Sequence, residues 1–117
     1  MRYLMLIYTP EVDPATVSEE QRAATSAQYG VFTREVRERD AMQGGEALQS
    51  TATATTIRVR DGKTLVTDGP YAETKEALAG FYLLDVQDLD EALELAAKIP
   101  GAQWGAIEVR PIWEQGG

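Results

Sequence analysis

An α+β fold is what this sequence predicts, and three observations carry the prediction. Tyr3–Tyr8 and Phe81–Leu84 are apolar runs of strand length. Two other segments open on a capping residue and continue with apolar residues at helical spacing. Asp61-Gly62 stands between two alternating stretches, the signature of a tight hairpin whose turn needs positive φ. At 117 residues, without repeats or low-complexity segments, the chain reads as a single domain over 1–117 with mass enough for its own core.

The first strand, Tyr3-Leu4-Met5-Leu6-Ile7-Tyr8, is apolar at both alternating sets of positions, so both its faces are expected to be covered. Pro10 and Pro14 then mark a loop. Ser18 and Gln21 form a capping box, and Glu19 and Glu20 suit the positive end of a helix. That helix is expected to reach about Asp40, with Ala24, Ala27, Val31, Phe32 and Val36 facing inward. Gly30 weakens it by up to about 1 kcal/mol relative to Ala, which points to a close neighbour. Gly44-Gly45 is expected to end the helical region and Glu46-Ala47-Leu48 to form a short strand. Residues 49–54 make a polar link.

Thr55–Arg60 alternates, Ile57 and Val59 against Thr56, Arg58 and Arg60, and Lys63–Thr67 returns as its hairpin partner. Residues 68–78 are expected as a loop, with at most one helical turn, before the strand Gly80–Val86, which is apolar on both faces. Asp88 and Glu91 make a second capping box, and Leu89, Ala92, Leu93, Ala96 and Ala97 supply the inner stripe of a helix that stops at Pro100-Gly101. Ala106–Trp113 follows as a strand, Ile107 and Val109 on one face, Glu108 and Arg110 on the other. Tyr3, Tyr8, Tyr82, Trp104 and Trp113 either wall a pocket or fill the core and a contact between copies, with the core expected for most of them.

The resulting order, β-α-β-β-β-β-α-β, is a ferredoxin-like antiparallel sheet with an inserted hairpin and two helices on one face. The two strands that are apolar on both sides then leave the helix-free face in need of cover. A second copy of the same sheet is the simplest source, which predicts a homodimer through the sheet face.

Composition excludes several chemistries. The chain has no His and no Cys, which removes Ser–His and Cys–His triads, zincins and zinc fingers. Its formal charge is −8 and neither half is basic, which argues against nucleic acid and against anionic membranes as partners. It has no apolar run of membrane-spanning length and no signal-peptide layout, so a cytoplasmic location is expected. No dinucleotide fingerprint, phosphate loop or EF-hand spacing occurs, so no cofactor and no metal is expected.

Asp68-Gly69-Pro70-Tyr71-Ala72-Glu73-Thr74-Lys75-Glu76 is the segment that reads least like scaffold. Asp-Gly-Pro fixes a sharp turn, and four ionisable side chains and a phenol follow within nine residues. As an active site, Asp68 or Glu73 would act as base, with Tyr71 or Lys75 as acid or oxyanion partner. As scaffold, Asp68 clamps the turn by accepting from the amides of Tyr71 and Ala72, Tyr71 packs, and the remaining charges are solvated. Arg58 and Arg60 share a strand face and suit an anionic ligand, or a plain exposed ladder of charge. Glu46 after the paired glycines faces a cleft or protects a sheet edge.

DGPYAETKE and the strand after it resemble the DGPF-motif branch of the YCII-related proteins, with Tyr71 where Phe is usual. The resemblance extends to Met1–Tyr8, Gly44–Leu48, Thr53–Gly62 and Ile107–Glu114. It implies a dimeric α+β barrel in small bacterial proteins, some found beside extracytoplasmic-function sigma factors. Some YCII relatives eliminate halide from a lactone with a His–Asp pair, which a chain without His cannot supply. Two functions follow as expectations. One is a small-ligand-binding or cofactor-independent enzyme domain with a pocket between helix and sheet near the 68–76 loop. The other is a non-catalytic regulatory or interaction module.

Overall fold

Strand β1 (Arg2–Pro10) runs through the middle of the main sheet in a computed structural model, which describes residues 1–114. It pairs antiparallel with β5 (Glu76–Asp85) on one side and β6 (Ala106–Pro111) on the other. With β2 (Met42–Ala47) on the far side of β5, the order is β2-β5-β1-β6. Helices α1 (Glu19–Glu38) and α2 (Leu89–Ala96) complete an α+β architecture compatible with a ferredoxin-like fold. The inserted strands β3 (Thr55–Arg60) and β4 (Lys63–Asp68) form a separate two-stranded sheet.

The core lies between the sheet and both helices. Tyr3, Met5 and Ile7 of β1 and Tyr82 and Leu84 of β5 meet Phe32 and Val36 of α1 and Ala92, Leu95 and Ala96 of α2. Phe32 and Tyr82 pack edge to face with centroids 5.0 Å apart. The alternate side chains, Leu4 and Leu6 of β1 and Phe81 and Leu83 of β5, are half-buried on the side opposite α1 and α2. Both strands are therefore apolar on two faces, as the sequence indicates.

Helix α1 starts as expected. Ser18 Oγ accepts from the Gln21 amide at 3.1 Å and Gln21 Oε1 accepts from the Ser18 amide at 3.0 Å. Its inner stripe is narrower than expected: Ala24, Ala27 and Val31 are exposed, and Gly30 has no neighbour against the position of a Cβ. The first half of the helix overhangs the sheet instead of packing on it. The helix ends at Glu38, two residues before Asp40, whose φ of +57° is left-handed, with Ala41 N–H bonding the Val36 carbonyl at 2.9 Å and Asp40 N–H the Arg37 carbonyl at 3.0 Å. That Schellman arrangement, and not Gly44-Gly45, stops the helix. Both glycines lie inside β2, beyond a bulge between Met42 and Gly44.

Other expectations shift at the margins. β5 begins at Glu76 and Asp68 belongs to β4, so the connecting loop is 69–75 and contains no helical turn. In α2, Leu95 is buried while Leu89, Leu93 and Ala97 face outward. Asp88 caps α2 through the Glu91 amide, but Glu91 returns its bond to Gln87, not to Asp88. β6 stops at Pro111, and Trp113 is exposed, as is Trp104. Asp61 and Gly62 have φ of +51° and +73°, as a type I′ hairpin turn requires.

Candidate functional site

A cleft of about 470 Å³ opens where α1 overhangs the sheet. Its roof is a stripe of one helix face at intervals of four, Thr25, Tyr29, Thr33 and Arg37. Ile7, Thr9, Gly45, Gly80 and Tyr82 form the floor, and Met42, Glu46, Phe81 and Trp104 border it. Gly45 keeps the floor low, since a Cβ there would lie 2.9 Å from the Tyr82 ring and 3.1 Å from the Phe81 carbonyl. Gly80 meets a similar limit, 2.7 Å from the Glu46 carbonyl.

Hydroxyl groups supply the polarity of this cleft. Tyr29 Oη accepts from the Gly101 amide at 3.1 Å, which ties α1 to the 3-10 turn Pro100–Gln103 and leaves the phenol proton to donate elsewhere. Burial holds the Tyr29 phenol above its ordinary range against the opposing effect of that amide. It is a neutral donor at physiological pH, not a base. Thr33 Oγ1 and Tyr82 Oη lie 2.9 Å apart, and whichever donates leaves the other's proton available.

Of the candidate catalytic and ligand-binding residues, Glu46 alone touches this cleft among the described residues, together with Tyr82 and Trp104 of the aromatic set. It pairs with Phe81 across the ladder, one position beyond Gly45 and Tyr82, so alternation carries its side chain toward the helix-free face. The 69–75 loop lies elsewhere. Glu73 borders a hollow of about 300 Å³ with Glu11, Thr51 and Pro70. Tyr71 borders a second, of about 650 Å³, with Tyr8, Leu78, Thr53 and Thr56. The Arg58 guanidinium carbon lies 5.2 Å from the centre of the Tyr71 ring, a cation–π contact that joins β3 to the loop. Lys75 is exposed and lines none of these hollows.

The Asp68 carboxylate accepts no hydrogen bond among the described residues, so it does not clamp the turn. Two bonds to the Gly69 backbone do that work: Gly69 N–H bonds the Ala54 carbonyl at 2.7 Å, and Thr56 Oγ1 donates to the Gly69 carbonyl at 2.9 Å. Gly69, with φ of +115°, supplies the conformation the bend needs. Tyr71 and Glu73 thus border different hollows, and Asp68 lines neither of the two. The stripe Thr25, Tyr29, Thr33, Arg37 was open to sequence reasoning as a polar line at four-residue spacing beside the apolar Phe32 and Val36.

The family model for the YCII-related domain matches residues 1–115. The chain belongs to the YCII-related family. An uncharacterized protein of Rhizobium meliloti (strain 1021) is similar to this YCII-related chain, 38% identical over 114 residues that cover 96% of the chain and 92% of that protein. Among the described residues, no helix of this YCII-related domain is long and apolar enough to cross a membrane. Nor do three His, Cys, Asp or Glu side chains gather there as a metal site would require.

Proposed function

We propose that this YCII-related domain, of the DGPF-motif type by its Asp68–Glu76 segment, works as a homodimer. In this reading it binds a small, largely apolar molecule in the cleft between α1 and the sheet. The observation that carries the reading is the cleft itself: apolar walls, a volume within the roughly 300–1,000 Å³ range of small-molecule sites, and a few hydroxyls from rigid elements. The ligand would bear an oxygen acceptor for the Tyr29 phenol, and Arg37 at the same stripe favours an acidic group. Donors fixed on an oxygen also suit cofactor-independent chemistry at a carbonyl, by stabilising charge that develops there. The homodimer reading rests on Leu4, Leu6, Phe81 and Leu83, which form an apolar sheet surface without a helix above it.

Thermal-shift screening with small ring-bearing acids and carbonyl compounds tests the cleft. Hits are expected to lose their effect in Thr25→Trp, which fills the cleft from an exposed position on α1. Tyr29→Phe should weaken them about tenfold, the worth of one hydrogen bond. Hits that persist unchanged in both variants would overturn this site. A second reading, a non-catalytic interaction module, is favoured by Tyr71, which is 77% exposed at the base of a projecting hairpin. Hits abolished by Tyr71→Ala but not by Thr25→Trp would move the site to the 69–75 loop.

A further inference from the structure

The molecule is too open for its mass. A compact monomer of 12.8 kDa exposes about 6,300 Å², whereas this chain exposes 8451 Å². Its radius of gyration is 16.4 Å, against about 13.4 Å for a compact domain of this length. The surplus surface, on the order of 2,000 Å², exceeds the ~800 Å² each partner contributes to a standard interface.

Much of that openness lies in the β3–β4 hairpin. Its strands pair only with each other, Ile57 opposite Val66 and Val59 opposite Thr64. Ile57, Val59 and Val66 share one face and are 63%, 58% and 62% exposed. Arg58 and Arg60, opposite Leu65 and Lys63, make the other face basic. A lone hairpin is marginal in water, so a projecting one with an apolar face calls for a surface to lie on. Residues 55–68 carry three bases and two acids within a chain of net charge −8, which makes the hairpin the basic part of an acidic molecule. On the helix-free face, Glu46 and Glu108 bracket Phe81 and Leu6 in one transverse row. Apolar residues between acids are the complement of the hairpin.

We propose that the hairpin is an arm that clasps the second copy of the chain. It lays Ile57, Val59 and Val66 against the helix-free side of that copy, while Arg60 and Lys63, which flank the turn at its tip, reach around its edge to the acidic border. The arms are exchanged reciprocally about a two-fold axis. The Arg58–Tyr71 contact braces the arm's root, which gives the 69–75 loop a mechanical role. This inference rests on the homodimer proposed above and extends it.

The chain has no Cys, so a single Val59→Cys accepts one polarity-sensitive fluorophore. Its emission is expected blue-shifted at micromolar protein and solvent-like on dilution. Sedimentation equilibrium then compares the parent, Leu6→Lys in the sheet face, and Ile57→Ser/Val59→Ser/Val66→Ser in the arm, with circular dichroism confirming that each is folded. The arm variant should raise the dimer dissociation constant at least tenfold, and added salt should weaken the parent dimer. Parent affinity in the arm variant alongside a monomeric Leu6→Lys would overturn the arm and leave the sheet-face dimer standing. A dimeric Leu6→Lys would overturn both the sheet-face dimer and the docking of the arm on the row of Glu46, Phe81, Leu6 and Glu108. A monomeric parent would overturn both.

Discussion

Gly101 has no room to grow. A Cβ there would lie 2.8 Å from the Tyr29 hydroxyl oxygen, 3.1 Å from Ile7 and 3.2 Å from Thr9. Gly101→Ala is therefore expected to cost about 1–3 kcal/mol, as overpacking does. The urea midpoint should fall with an unchanged slope, and Tyr29→Phe in the same chain should recover part of the loss, because the hydroxyl is the first obstacle. Asp40 offers the reverse case. Its left-handed φ of +57° suits glycine better than any residue with a Cβ. Asp40→Gly should raise stability by about 1 kcal/mol, measured the same way, with the Schellman bonds intact. The same residue explains why the helix end was hard to read: paired glycines at 44 and 45 are a louder stop signal than an aspartate that tolerates the left-handed region.

At the scale of elements, ion pairs and capped carboxylates tie segments distant in sequence. Glu11, just after β1, accepts from the Thr51 amide at 2.7 Å and from its hydroxyl at 2.6 Å, which anchors the 3-10 turn Thr51–Thr53. Those bonds, the hydroxyl's first, hold the Glu11 carboxyl below its ordinary value. Glu35 of α1 is lowered in the same way, chiefly by the hydrogen bond from Lys98 at 2.8 Å and further by Arg39. Carboxyls lowered in the folded state stabilise it above their unfolded value, and that contribution disappears as pH falls through the folded one. Stability is therefore expected to be steady from neutral pH to just above 4.5 and to decline below it, with a shallower decline in Glu11→Gln and Glu35→Gln, followed by urea titration across pH. The order and type of the main elements were legible, since capping boxes, the Asp61-Gly62 turn and doubly apolar strands each have a local cause. The burial stripe of α1 was not: whether Ala24 and Ala27 pack depends on where the sheet ends beneath them. Nor was the cleft, which exists only because that helix outruns the sheet. The Asp68–Glu76 segment is dense in ionisable groups, yet whether they converge depends on strand register that no local pattern encodes.

For the whole molecule, charge and donor chemistry set the outward behaviour. With a formal charge of −8 and a sequence pI near 4.5, no counterion release favours binding to duplex DNA. An electrophoretic shift assay at low salt is expected to show no retarded band. Without His or Cys ligands, stability should not depend on a transition metal. EDTA is expected to leave Tm unchanged, and a fall of several degrees in a melting scan would contradict this.

The overhang of α1 divides one continuous helix into two regimes of backbone opening. Phe32 and Val36 pin its second half, while residues 19–28 are exposed and lean over the cleft. Amide protons in the first half should therefore exchange with deuterium far faster than those around Val36. A molecule lodged beneath the overhang would slow the first set and leave the second unchanged. The helix thus carries its own occupancy gauge, legible by mass spectrometry before the occupant's identity is known.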